Sequence, residues 1–142
     1  MGFYRTAQIC LNGHCISASV DKYPELGARF CTKCGAETIT DCPKCGEKIR
    51  GRYEETGIIV VGDKYNPPSY CHNCGSPYPW TKSAIDTAKA LILEDELLSD
   101  MEKEKLTESI PDIVVETPKT QLAVSRFKKV LLKVGNFTAE GL

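Results

Sequence analysis

Apolar residues recur at helical spacing in the C-terminal part of the chain. From residue 82 onwards cysteine disappears, and Ala, Leu, Glu and Lys dominate. Thr81 or Ser83 can cap a first helix, because a side-chain oxygen at the N-cap accepts from a free backbone amide. The apolar positions of this helix are spaced three or four residues apart: Ala84, Ile85, Ala88, Leu91 and Ile92. Residues 82–142 are therefore predicted to be a helical region.

Two further helices are predicted within this region. Ser99 and Glu102 have the spacing of a capping box, so a second short helix starts at Ser99 and ends before Pro111. Thr117 followed by a proline in the first turn opens a third helix that runs towards Gly135. One apolar stripe runs along it: Ala123, Phe127, Val130, Leu131 and Val134. About three short helices are expected, packed on each other or on the N-terminal part.

Segments of strand-type composition occupy the N-terminal part. Residues 48–53 and 57–62 have the β-branched content and glycine boundaries of a hairpin. Residues 16–29 form a shorter insert that contains Tyr23 and Pro24, so at most one short hairpin is expected there. Residues 66–69, Asn-Pro-Pro-Ser, are predicted to be a loop.

The eight cysteines are the main candidates for chemistry. The N-terminus has no apolar core of signal-peptide length, and no apolar stretch is long enough to span a bilayer, so we expect a cytoplasmic protein with reduced thiols. Three Cys-x2-Cys pairs are each followed by glycine: Cys31 and Cys34, Cys42 and Cys45, Cys71 and Cys74. Glycine suits a tight turn with positive φ that aims amides at thiolates. A redox pair normally occurs once, beside a βαβ pattern, so the threefold occurrence favours structural zinc.

An internal repeat predicts how the cysteines pair. Residues 29–36 match residues 69–76, each with an aromatic residue before the Cys-x2-Cys pair. We interpret these segments as the closing halves of two tandem zinc ribbons, about 8–38 and 39–81. The second ribbon then holds one zinc ion through Cys42, Cys45, Cys71 and Cys74. In a compact alternative, Cys31, Cys34, Cys42 and Cys45 share one ion and the outer four cysteines share the other. This alternative ranks second because it ignores the repeat.

The first ribbon leaves its fourth ligand open. Cys10, Cys31 and Cys34 supply three, but Gly13 occupies the place of the next cysteine. Cys15 is favoured by counting, because eight thiols make two all-cysteine sites, whereas His14 would complete a site of three cysteines and one histidine equally well. Both stay candidates. His72 lies inside the last Cys-x2-Cys pair and is expected to point to solvent.

The predicted fold class is a small metal-stabilised β-fold of tandem zinc ribbons in residues 1–81, followed by the α-helical part, with two Zn²⁺ ions as cofactors. Tyr78, Pro79 and Trp80 follow the last ligand and are expected to cover the core of the second ribbon. A peptide-binding aromatic patch is the alternative for Trp80, the single tryptophan of the chain.

Closed metal sites argue against an enzyme. Four protein ligands leave no open position for water or substrate on zinc. The sequence also shows no convergent nucleophile and base, no phosphate-binding loop and no paired acidic motif with catalytic spacing. We therefore predict a non-catalytic protein.

Charge bears on the choice of partner. Residues 1–81 hold nine Lys and Arg against eight Asp and Glu. Two four-thiolate zinc sites would bring this region to about −3, or one unit less negative with His14 as a ligand, which opposes phosphate binding. A nucleic-acid-binding regulator that uses Arg50 and Arg52 of the hairpin with the basic third helix is the alternative. That helix could also meet an anionic membrane. A zinc or redox sensor with one labile site is a further alternative.

The chain resembles a bacterial double zinc-ribbon family of unknown function. The resemblance is carried by residues 30–36, 42–45, 49–51, 70–75, 78–81, 109–112, 117–120 and 126–129. It implies a bacterial, cytoplasmic, zinc-bound protein and brings no activity or partner with it. In that family the first turn reads Cys-x-x-Gly-His, which supports His14 as a ligand. Relatives are expected to continue past Leu142, so that residues 137–142 would begin a further segment.

The sequence as a whole predicts a protein-binding or adaptor module. Zinc would stabilise the two ribbons, and the helical half would present a surface to a protein partner. The closed ligand sets, the net charge of −1 and the absence of catalytic motifs motivate this interpretation.

Overall fold

A computed structural model of the protein describes residues 2–55, 57 and 64–133. Its elements, in chain order, are β1 (Phe3–Thr6), β2 (Gln8–Cys10), β3 (Cys15–Ser17), a 3-10 helix (Pro24–Leu26), β4 (Thr38–Ile39), β5 (Arg50–Glu54), α1 (Pro79–Leu93), α2 (Asp100–Ser109), α3 (Pro111–Val114) and α4 (Thr120–Lys133). The chain divides into two compact units, Met1–Lys82 and Ser83–Leu142, called here the N-terminal unit and the helical unit. The predicted fold class, a small β-rich part followed by helices, is confirmed.

Two small antiparallel sheets lie among the described residues of the N-terminal unit. In one sheet β2 lies between β3 and β4, and in the other β1 pairs with β5. The β1–β5 register places Tyr4 opposite Tyr53, with their ring centroids 5.0 Å apart in an edge-to-face arrangement. Arg5 adds an ion pair of 2.9 Å to Glu54. These cross-strand pairs stabilise the β1–β5 sheet, of which the described residues include two strands.

The pairing of β5 differs from the predicted hairpin. A strand is present at Arg50–Glu54, but its partner among the described residues is β1, at the start of the chain. Residues 58–62 of the predicted second strand lie outside the described residues. The insert of residues 16–29 contains no hairpin of its own. Its first residues belong to β3, which pairs back with β2, and Pro24 begins the 3-10 helix because its fixed φ suits a first helical turn.

The three Cys-x2-Cys segments share one backbone arrangement. In each, the amide of the first cysteine donates to a carbonyl five residues later: Cys31 to Ala36 at 2.7 Å, Cys42 to Glu47 at 2.7 Å and Cys71 to Ser76 at 2.9 Å. An isolated β-bridge closes each turn on the outside: Phe30 with Glu37, Asp41 with Lys48 and Tyr70 with Pro77. The repeat found in the sequence is therefore a structural repeat.

One small core lies beneath both ribbons. Its buried members come from the whole length of the N-terminal unit: Ala7, Ile9, Cys42, Ile49, Cys71 and Tyr78. Trp80 packs against this core and stacks on Tyr78 with ring centroids 4.8 Å apart. The prediction that Tyr78 and Trp80 cover the core is confirmed, and Trp80 also lies in the first turn of a helix.

The helix boundaries in the helical half differ slightly from the predicted ones. α1 begins at Pro79, before both predicted caps, since proline is well suited to a first helical turn. α2 has the predicted capping box: Ser99 Oγ accepts from the Glu102 amide at 3.2 Å, and the Glu102 carboxylate accepts from the Ser99 amide at 3.0 Å. Pro111 ends α2 and also starts α3, which was not predicted.

α4 starts at Thr120, two residues later than the Thr-Pro motif suggests. Thr117 points its hydroxyl to the Asp112 carboxylate at 2.7 Å, and the Thr120 hydroxyl donates to the Asp112 carbonyl at 2.6 Å. These bonds hold the chain in a turn before the helix begins. Of the predicted stripe, Ala123 is buried and Phe127 and Val130 pack on the core. The side chains of Leu131 and Val134 lie outside the part of the chain that is described.

The core of the helical unit joins residues of all four helices and the turns beside them. Ile92, Leu106 and Ile110 are buried. The partly buried residues around them are Ile85, Ala88, Leu98, Val114, Phe127 and Val130. The predicted stripe of α1 is only partly used, because Leu91 remains 66% exposed.

Loss of the α2 capping box is expected to destabilise the helical unit. Ser99→Ala removes the acceptor for the Glu102 amide and should lower the free energy of unfolding by about 1 kcal/mol. Urea unfolding followed by the helical circular dichroism signal measures the change. Ser83→Ala, at an exposed position inside α1, is the control and should change the free energy of unfolding by less than about 0.5 kcal/mol. Equal effects of the two variants would contradict the role of the cap.

Candidate metal centres

The first cluster of metal-binding side chains contains Cys10, His14, Cys31 and Cys34. Their ligand atoms all lie within 4.8 Å of one another. The Cys10 and Cys34 sulfurs are 3.7 Å apart, and His14 Nδ1 lies 3.5 Å from Cys10 Sγ and 3.6 Å from Cys31 Sγ. Elements far apart in sequence supply these residues, since Cys10 ends β2 and His14 precedes β3, while Cys31 and Cys34 belong to the later turn.

The second cluster contains Cys42, Cys45, Cys71 and Cys74, again within 4.8 Å. Cys42 Sγ lies 3.8 Å from Cys74 Sγ, and Cys45 Sγ lies 3.7 Å from Cys71 Sγ. Two turns of the same type face each other here. The compact alternative, with Cys31, Cys34, Cys42 and Cys45 on one ion, is wrong, because these residues are divided between the two clusters.

The distances fit four-coordinate tetrahedral sites. A disulfide would require sulfur atoms about 2.05 Å apart, and all eight cysteines are free thiols. Sulfurs bound at about 2.3 Å to a tetrahedral ion lie about 3.8 Å from each other, and a sulfur and an imidazole nitrogen lie about 3.6 Å apart. The distances of 3.5–3.8 Å given above match these edges. The two groups of side chains could therefore each hold one metal ion.

Glycines with positive φ shape the turns around the ligands. Gly35, Gly46 and Gly75 have φ of 76°, 81° and 74°, and each donates its amide to the carbonyl of the first cysteine of its pair. A left-handed backbone is readily adopted by glycine and costs energy for other residues. The positive φ predicted for the glycine after each Cys-x2-Cys pair is thus confirmed, whereas the amide of the glycine itself donates to a carbonyl and not to a thiolate.

Gly13 explains why the first ribbon has a different ligand. It has φ of 93°, and its amide donates to the Cys10 carbonyl at 2.9 Å, so it closes the first turn at the place of the missing cysteine. A Cβ at this position would lie 3.1 Å from the Cβ of Trp80. Because Gly13 cannot supply a ligand, the next residue, His14, turns its Nδ1 towards the cluster.

Cys15 belongs to neither cluster, although the count of eight thiols favoured it as the fourth ligand of the first site. It is the first residue of β3, and successive side chains of a strand point to opposite faces, so Cys15 points away when its neighbour His14 points in. Its thiol is near Arg52 and Tyr65 instead. His72 is exposed and stays outside the clusters as well.

Each cluster joins buried and exposed ligands. Cys10, Cys31, Cys42 and Cys71 are buried, whereas Cys34, Cys45 and Cys74 are exposed. Burial raises the pKa of Cys10 and Cys42. The Ala36 amide and the Asn12 side chain lower the pKa of Cys34 to about 6, and the Ser76 hydroxyl and amide lower the pKa of Cys74 to about 6. Each cluster thus keeps at least one thiol in the thiolate form that metals bind.

Two asparagines beside the clusters were not predicted from the sequence. The side-chain amide of Asn12 donates to Cys34 Sγ at 3.3 Å, and the side-chain amide of Asn73 donates to Cys45 Sγ at 3.6 Å. Both follow a ligand cysteine by two residues, which is the signal that could have found them. Donors of this kind orient ligands and neutralise part of their charge.

None of the described helices is both long enough and apolar enough to cross a bilayer.

A β-rich unit with two four-ligand cysteine and histidine clusters, followed by helices, defines the class of double zinc-ribbon-like proteins. The family described as an uncharacterized protein conserved in bacteria, DUF2321, matches residues 3–142, and the chain belongs to it. The resemblance to a bacterial double zinc-ribbon family is thereby confirmed. No curated protein and no solved structure was found to match the chain.

Proposed function

We propose that the protein is a non-catalytic protein-binding module of the bacterial cytoplasm whose N-terminal unit is stabilised by two structural Zn²⁺ ions. The observation that carries this proposal is the pair of closed tetrahedral ligand sets, each built from two turns that are distant in sequence. A metal held in this way fastens the chain together and keeps no position for a substrate.

Zinc suits both ligand sets better than other common ions do. Thiolate and imidazole ligands in a tetrahedral arrangement select zinc or iron, whereas calcium and magnesium require oxygen ligands. Zinc accepts a set of three cysteines and one histidine as readily as a set of four cysteines, so one ion type serves both clusters. A cytoplasmic location supports this choice, because the thiols stay reduced there.

The helical unit supplies the proposed binding surface. A groove of about 340 Å³ lies between α1, α3 and α4, lined by apolar side chains and by Lys128. Ile113 and Val124 on its walls are 39% and 37% exposed. A partly exposed apolar groove with a charged rim is typical of sites that bind a segment of another protein.

Nucleic acid binding is the second candidate, and one contact favours it. The guanidinium of Arg50 lies over the ring of Tyr4 at 4.4 Å, next to exposed Tyr53, so an arginine and two aromatic rings share one surface. Glu54 and Asp21, on the same sheet and its neighbouring loop, form ion pairs with Arg5 and Lys22, so these four side chains add no net positive charge to the surface around Arg50. The protein-binding proposal therefore ranks first.

Mass spectrometry of the native protein, purified without chelator, is the test of the metal sites. We expect two zinc ions per chain. Iron would show as charge-transfer absorption in the visible range and would contradict the zinc assignment, and protein without metal would contradict the structural role of both clusters.

Site-specific photo-crosslinking in bacterial cells tests the protein-binding role. A photoreactive residue at Val124, in the groove, is expected to give a discrete crosslinked protein product. The same residue at Glu108, exposed on α2 and outside the groove, is the matched control and should give none. Absence of a product at Val124, or equal products at both positions, would contradict the proposal.

A further inference from the structure

The connection between α1 and α2 presents an exposed acidic and apolar strip. Residues 91–101, called here the acidic segment, contain four carboxylates and no lysine or arginine: Glu94, Asp95, Glu96 and Asp100. Four large apolar side chains of the segment are mostly exposed: Leu91 at 66%, Leu93 at 60%, Leu97 at 73% and Met101 at 71%. Apolar side chains so exposed and so close together are typical of a binding surface.

The groove described above is apolar, and one positively charged residue, Lys128, stands in its lining. We call it the basic groove and define it by Ile110, Ile113, Val114, Val124, Phe127 and Lys128. α4, which forms one wall, contains four lysines and arginines over Thr120–Lys133 and no acidic residue. Acidic groups do occur nearby, since Asp112 lies on α3 and Glu116 follows it. The Asp112 carboxylate is engaged by the Thr117 hydroxyl at 2.7 Å.

Within the described part of the chain, the carboxylates of the acidic segment and the lysines of α4 form no ion pairs with each other. Among the residues that the structure describes, Glu94, Glu96 and Asp100 form no ion pair, and neither do Lys128 and Lys129. Asp95 accepts from the Leu97 amide at 2.8 Å, and Lys103 donates to the Leu93 carbonyl at 3.1 Å. Glu94, Glu96 and Asp100 of the acidic segment and Lys128 of the basic groove are thus exposed, and none of them has an ion-pair partner among the described residues.

We infer that the acidic segment of one copy binds the basic groove of a second copy of this chain. The inference rests on the proposed use of the helical unit for protein binding and names the partner. Apolar side chains of the segment would fill the apolar floor of the groove, and its carboxylates would face the lysines of α4. Two copies related by a twofold axis can make this contact twice, because each copy has both surfaces.

Sedimentation equilibrium of the full-length, metal-bound protein tests the inference. The expected species is a dimer of twice the chain mass of 15.7 kDa. Raising the salt concentration from 0.15 M to 1 M shortens the Debye length from about 8 Å to about 3 Å and should weaken the dimer measurably. A monomer at concentrations up to about 1 mM, or a dimer insensitive to salt, would overturn the inference.

Charge reversals locate the contact. Lys128→Glu and Glu96→Lys should each weaken the dimer at least about tenfold, because like charges then face each other. The controls Lys64→Glu and Glu25→Lys change the net charge equally at exposed positions of the N-terminal unit and should leave the dimer unchanged. An equimolar mixture of Lys128→Glu and Glu96→Lys should form a mixed dimer, since opposite charges then face each other in both contacts. If the mixture stays monomeric, the inference is overturned. This test does not require either variant to dimerise alone.

Crosslinking at Val124 separates this inference from the proposed function. A product made of two copies of this chain supports both. A product with a different protein supports protein binding and overturns self-association. No product overturns both.

Discussion

Removal of metal by a chelator under reducing conditions is expected to unfold the N-terminal unit. The strands of this unit are two to five residues long, and two of the six buried residues of its core are ligand cysteines, Cys42 and Cys71. Such a core is too small to be stable alone. Structural zinc contributes an apparent free energy of about 10–16 kcal/mol in small zinc-binding peptides, which equals or exceeds the whole stability of a typical domain of about 5–15 kcal/mol.

The fluorescence of Trp80 reports this unfolding. Trp80 is half-buried, stacks on Tyr78 and donates its indole N–H to the Pro68 carbonyl at 3.0 Å, so its emission should shift to longer wavelength when the ribbons open. Cys71→Ser should give a similar shift without chelator, whereas Cys15→Ser, at a thiol outside the clusters, should not. Unchanged emission after complete metal removal would contradict a structural role for the ions.

Local signals in the sequence predicted the helices well, because the determinants lie within a few residues. The capping box of Ser99 and the apolar stripe through Phe127 depend only on near neighbours in the chain. The strand pairing was less predictable, because β5 pairs with β1 some fifty residues away. Strand propensity shows that residues 50–54 form a strand and contains no information on which strand lies beside it.

The ligand sets were predictable to the extent that the sequence repeats. Residues 69–76 repeat residues 29–36, so the partners of Cys71 and Cys74 followed from the order of the ribbons, and the clusters have this pairing. The first ribbon departs from the repeat at Gly13, and counting thiols then pointed to Cys15. The family resemblance supported His14, and the turn geometry gives the physical reason, since a left-handed Gly13 directs the following side chain, that of His14, into the cluster.

The two ribbons are connected through shared packing. Ile9 precedes the ligand Cys10 and lies in one core with Cys42 and Cys71, and Gly13 beside the first cluster faces Trp80, which stacks on Tyr78. Loss of one ion is therefore expected to loosen the side chains that support the other site.

His14→Ala is expected to reduce the metal content from two ions to about one per chain, because the site loses one of its four ligands, keeps only three thiols and opens to water. The measurement is mass spectrometry of the native protein at neutral pH, with competition by a chelator to rank the affinities. Cys15→Ser, at the next residue and the first of β3, is the matched control and should retain two ions.

His14→Cys provides the sharper comparison, since a thiolate can replace the imidazole and restore a four-ligand site. This variant should bind two ions, and a cobalt-substituted sample should show the stronger sulfur-to-metal charge transfer of a site with four thiolates. Full metal content in His14→Ala together with a loss in Cys15→Ser would reverse the ligand assignment and contradict the turn geometry at Gly13. His14→Ala and Cys15→Ser change neighbouring side chains beside the same backbone turn. A difference in metal content between these two variants therefore reflects loss of a ligand and not a general disturbance of the turn.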